Sequence, residues 1–136
     1  MKAAYGSWSL AALGALCLCS VAVRAHHAFA TEFDVERPIE LNGVVSKVEM
    51  INPHSWIHID VVGADGQKKT WMVEGGSPNA LLRRGITKSS VPIGAELYVF
   101  GYQARDGGQR VVGRTITFAD GSSLFFSGTA IPDDVE

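Results

Sequence analysis

Beyond residue 19 the chain contains no cysteine, and its two thiols, Cys17 and Cys19, both lie in an apolar N-terminal stretch. A domain beginning after that stretch can have neither a disulfide framework nor a thiol nucleophile. Long hydrophobic runs are missing too. The longest, from about Leu10 to Val23, falls short of the ~20 residues that a spanning helix needs. Nor is there an excess of positive charge, since 12 Lys plus Arg stand against 14 Asp plus Glu. That balance gives no general attraction to nucleic acid or to an anionic membrane. No Gly-x-Ser-x-Gly elbow and no phosphate-cradling glycine loop occurs, and Glu74-Gly75-Gly76-Ser77-Pro78 reads as a strand-to-helix turn. An enzyme using His54 with Glu74 would have no recognisable nucleophile, so the reading leans away from catalysis.

What is present begins with a leader. Lys2, the apolar stretch and the small residues of Val23-Arg24-Ala25 read as a secretory signal peptide over residues 1–25. Two other cuts fit: after Ala30, which removes His26 and His27, and after Ala22, which places His26 fourth. A lipoprotein anchor is rejected because Leu16 and Leu18 precede the two cysteines where a small residue is wanted. The expectation is a protein without a membrane anchor, exported to the periplasm or secreted. Of the 136 residues, a cut after Ala25 leaves 111, enough for one domain. Losing Lys2 and Arg24 leaves ten cations against fourteen anions, a net charge of −4. Lys68-Lys69 and Arg83-Arg84 read as solvated surface charges.

After a polar lead-in from Thr31 to Pro38, strand-like runs alternate with sharp turns. The spacing predicts strands over 39–51, 55–62, 69–74, 96–103, 110–118 and a short one over 124–126. Along the second, Ile57, Ile59 and Val61 share one face while Trp56, His58 and Asp60 share the other. Ala64-Asp65-Gly66-Gln67 supplies hairpin turn chemistry. Between the third and fourth strands, Ser77-Pro78 and a terminal Gly85 bracket one short helix with Arg83 and Arg84 in its last turn. The predicted fold is all-β with one short helix in the order β-β-β-α-β-β, a small OB-like β-barrel over residues 26–128, with 129–136 a frayed tail. Ligands of such barrels usually meet the second and third strands.

Those strands, together with the leader junction, hold the candidate residues. All four histidines, His26, His27, His54 and His58, fall within 33 residues. A mature chain starting at His26 would offer its α-amine and imidazole as a chelate, with His27 behind it and His54 at the start of the second strand. Nitrogen-rich ligands of this kind favour Cu(II) most among the divalent first-row metals, with Ni(II) and Zn(II) behind. Copper or another divalent metal is thus the expected ion, and the ligand types resemble those of histidine-brace copper sites. The bland alternative stands beside it: unstructured terminal histidines, and a turn histidine at His54 bonding nearby backbone. Trp56 and Trp71, on neighbouring strands, are candidates to stack a small planar ligand or meet a partner protein, or they simply pack. Glu74 is a candidate carboxylate ligand, though capping the helix is the favoured use.

Several of these segments occur together in a recognisable pattern. His26-His27-Ala28-Phe29, Asn52-Pro53-His54-Ser55-Trp56-Ile57, Trp71-Met72-Val73-Glu74 and the helix from Ser77 to Gly85 resemble an uncharacterised family of small exported bacterial proteins, a domain of unknown function. The likeness runs from His26 to about Phe125. It implies export and marks His26, His27, His54, Trp56, Trp71 and Glu74 as pattern positions. His58 falls outside the pattern. No activity comes with the resemblance.

Overall fold

The structure, a computed structural model, describes residues 31–127. Strand β1 (Phe33–Ile51) is the longest element among the described residues, and β2 (His54–Val62) and β3 (Lys68–Glu74) follow it as a meander. Helix α1 (Pro78–Arg83) and a 3-10 turn (Lys88–Ser90) lead to β4 (Glu96–Ala104), β5 (Arg110–Phe118) and β6 (Ser123–Phe125). All six strands form one sheet in the order β3-β2-β1-β4-β5-β6. A further parallel pairing of β3 with β5, Met72 to Glu74 against Arg110 to Val112, closes the hydrogen bonding into a ring.

The ring closes because β1 serves two partners in succession. Its first part, through Val44, pairs β4, and from Val44 to Ile51 it pairs β2. A register shift at Ser46 accompanies the change in direction. Before it Leu41, Gly43 and Val45 point inward; after it Glu49 and Lys47 lie on the outer face, opposite Trp56 and His58. The predicted lead-in to Pro38 is instead strand from Phe33. Pro38 is tolerated there because the pairing with β4 is irregular between Phe33 and Pro38.

Inward-facing Val45, Ile57, Ile59, Val73, Leu97, Val99, Val111 and Ile116 make the core, joined by Leu81, Ile86, Val91 and Phe126. Each fully buried aliphatic chain contributes about 1.5–3 kcal/mol. The β2–β3 loop places Gly66 at φ 75° while Asp65 stays at negative φ and accepts the Gln67 N–H through Oδ1. One left-handed glycine thus suffices where a two-residue hairpin would have needed two such positions. α1 starts as its sequence requires, with Ser77 Oγ accepting the Ala80 N–H and Pro78 in the first turn. Ser77 is thus the cap, as the sequence predicts.

Arg84 departs from the surface role expected of it. Its guanidinium donates to the carbonyls of Phe125 (3.1 Å) and Ser127 (3.0 Å) and lies over the Phe125 ring, while Nε donates to Ala80. The end of α1 is thereby tied to the C-terminal strand. Lys68, by contrast, is an exposed partner of Asp60 at 3.0 Å.

Candidate functional site

His54 opens β2 directly after the Asn52-Pro53 turn, and its neighbour Ser55 holds the turn that follows β3. The Ser55 N–H donates to Gly76 O (2.9 Å) and the Gly75 N–H donates to Ser55 O (2.8 Å). This extension of the ladder brings His54 alongside Glu74, and the His54 Nδ1–H donates to Glu74 Oε1. The two side chains differ sharply in exposure. The imidazole is 48% exposed and the carboxylate 7%. A buried carboxylate that holds Nδ1 fixes the ring's tautomer and direction, which leaves Nε2 carrying the lone pair of the neutral ring.

The same outer face continues along β2. Trp56 lies directly opposite Glu49 on β1 and Glu74 on β3. Next comes His58, whose Nε2–H donates to Glu49 Oε2 at 2.8 Å, while Lys47 reaches Glu49 Oε1, also at 2.8 Å. Two histidine–carboxylate pairs thus flank one half-buried indole. The Lys47 ammonium, and then the His58 ring, hold the Glu49 carboxyl below its ordinary range. Asp60, one step further, is held low by the Thr70 hydroxyl (2.7 Å) and Lys68.

The sequence-predicted residues divide three ways. His54, Trp56 and Glu74 share one face and adjoin one another. Trp71 does not join them: it pairs with Ile59, shares the inward side of β3 with Val73 and packs against the core. The two tryptophans are not one platform. Their separation follows from the loop between the strands. Gly63 pairs with Gln67, so partners carry numbers of like parity and 56 and 71 fall on opposite faces. The expected two-residue turn at Asp65-Gly66 would have put them on one face. His26 and His27 lie outside the described residues. Glu49 is the residue sequence reasoning missed, because the register shift at Ser46 hides its face.

A family model described as "Family of unknown function (DUF6152)" matches residues 14–113. The chain belongs to that family. The span that matches DUF6152 takes in His26, His27, His54, Trp56, Trp71 and Glu74, while β6 and Phe126 lie beyond it. No curated protein and no solved structure gives a significant match. Among the described residues, no group of three or more His, Cys, Asp or Glu is placed to hold a metal ion. Any metal centre involving His54 must therefore draw further ligands from elsewhere in the chain or from outside it.

Proposed function

We propose that the protein is an exported metal-binding module of the periplasm or extracellular space. Its closed sheet, with a helix between β3 and β4, is read as an OB-like β-barrel. The ion is copper, held as Cu(II) by the α-amine and imidazole of His26 after cleavage behind Ala25, by His27 and by His54 Nε2. The role is handling or sensing, not turnover. The observation that carries this reading is the pairing of half-exposed His54 with buried Glu74. Metal-ligating histidines commonly donate their second ring N–H to just such a carboxylate. Trp56, between the two pairs, shields the site laterally and supplies a fluorescence reporter.

The test is a Cu(II) titration of protein exported from an expressing bacterium, with its N-terminus fixed by mass spectrometry. A chain starting at His26 binds one copper, and His54→Ala weakens binding at least about tenfold. One additional N-terminal residue ahead of His26 does comparable damage. Unchanged affinity in His54→Ala, or a mature chain starting at Thr31, removes the reading. Loss of binding to a planar ligand in Trp56→Ala, with His54→Ala unaffected, would instead favour the indole as the working group.

A further inference from the structure

We infer that Phe126, fifty-two positions after Glu74 in the chain, is the positioning residue of the His54–Glu74 pair. The inference rests on that pair being the site proposed above. Glu74 is the last residue of β3 and is followed by Gly75 and Gly76, two residues with little conformational constraint of their own. What fixes them is external. The Phe126 ring lies flat against Gly75: a Cβ there would fall 2.3 Å from Cε1 and 2.6 Å from both Cδ1 and Cζ. It also lies 3.5 Å from where a Cβ on Gly113 would stand, so the ring fills a notch between two glycines. The Gly76 N–H donates to Phe126 O (2.9 Å), and the Phe126 N–H donates to Arg114 O (3.0 Å).

The other side of the same turn is held by Ser55, the residue next to His54. Glu74 and His54 are thus joined by a short backbone loop of bonds, Ser55–Gly75–Gly76, and Phe126 presses on that loop from inside. Arg84 secures the strip that carries Phe126, through the carbonyls of Phe125 and Ser127. Phe126 is 2% exposed and cannot meet a ligand itself. Its chemistry at the site is confined to the direction in which Glu74 presents its carboxylate to Nδ1.

The experiment needs no metal. The exported, ¹⁵N-labelled, copper-free protein is held at one alkaline pH, and long-range ¹H–¹⁵N correlation reads which nitrogen of His54 carries the proton. The parent shows the Nδ1–H form. In Gly75→Ala, whose Cβ displaces the ring, and in Phe126→Ala, the Nε2–H form rises above about 10%. Phe126→Leu, which keeps the core filled, restores the parent tautomer. Val99→Ala, a core truncation on β4, is the control for destabilisation alone and leaves His54 as in the parent. Should Phe126→Ala fail to fold, Gly75→Ala carries the comparison. A parent tautomer in every folded variant, or a shift in Val99→Ala as large as in Gly75→Ala, overturns the inference. A parent with the expected tautomer that fails to bind Cu(II) sinks the metal reading alone.

Discussion

Glu74 is buried at the surface-facing end of a hairpin, and burial of a carboxylate is costly without a partner. His54 supplies one, which is why the pair is better understood as a unit than as two residues. Glu74→Gln keeps the shape and removes the charge that grips Nδ1. On the copper site proposed above, affinity of the processed protein should then fall several-fold, by no more than in His54→Ala; an isothermal titration showing parent affinity would mean that the carboxylate does not tune the ring. Ser55, between His54 and Trp56, points the other way. Ser55 is 1% exposed, and its buried hydroxyl has no hydrogen-bond partner. An orphaned buried polar atom costs about 1–3 kcal/mol, so Ser55→Ala should leave the thermal midpoint unchanged or raise it. A clear drop would show that Oγ is engaged after all. At this scale the sequence displayed the right residue types, His54, Trp56 and Glu74, but not their grouping. The structure shows Ser77 Oγ meeting the Ala80 N–H at the start of α1, and Glu74 beside His54.

The elements were more legible than their faces. Alternation in β2, the Asp-Gly turn and the Ser-Pro start of α1 are local signals, and local signals located those elements to within a residue or two. The Phe33–Pro38 strand was hidden because only its ends pair with β4, Phe33 with Ala104 and Pro38 with Tyr102, while Glu36 and Arg37 between them show no apolar alternation. The role of Arg84 was hidden because its acceptors lie 41 and 43 positions away. Arg84→Met, which retains the stem but not the donors, should cost on the order of 1–2 kcal/mol in denaturant unfolding. On the outer face of β1–β3, Glu49 and Asp60 titrate below their ordinary values, Glu49 through Lys47 and His58, Asp60 through Thr70 and Lys68. The folded protein therefore takes up these two protons less readily than the unfolded chain. Their contribution is present in full above about pH 5, clear of the unfolded carboxylate values, and is lost as pH falls through the lower folded values. The midpoint in urea should decline between about pH 5 and pH 3, and decline less in Asp60→Asn. An equal decline in both proteins would assign acid sensitivity to other groups.

For the whole molecule, closure of the ring joins residues far apart in sequence, and the parallel β3–β5 pairing left no periodic trace from which it could be read. Closure also leaves little room where strands meet. A Cβ on Gly101 would stand 2.1 Å from the Val112 carbonyl oxygen, so Gly101→Ala should separate β4 from β5 and cost on the order of 2–4 kcal/mol. On the copper reading proposed above, the same global view decides how the ion should act on stability. The amine and imidazole of a terminal His26 are adjacent in the unfolded chain as well as the folded one, and a ligand that binds both states alike shifts nothing between them. Only what His54 adds is specific to the fold, because β2 and Glu74 must be formed to present its Nε2. If His54 strengthens binding about tenfold, saturating Cu(II) favours the folded state by about 1.4 kcal/mol. For a domain of this size that raises the thermal midpoint by roughly 5–10 °C. His54→Ala should retain copper on the terminal chelate yet show no such rise. A calorimetric scan in which copper raises both midpoints equally would place the whole site elsewhere on the folded surface, and a scan in which it raises neither would confine copper to the terminus.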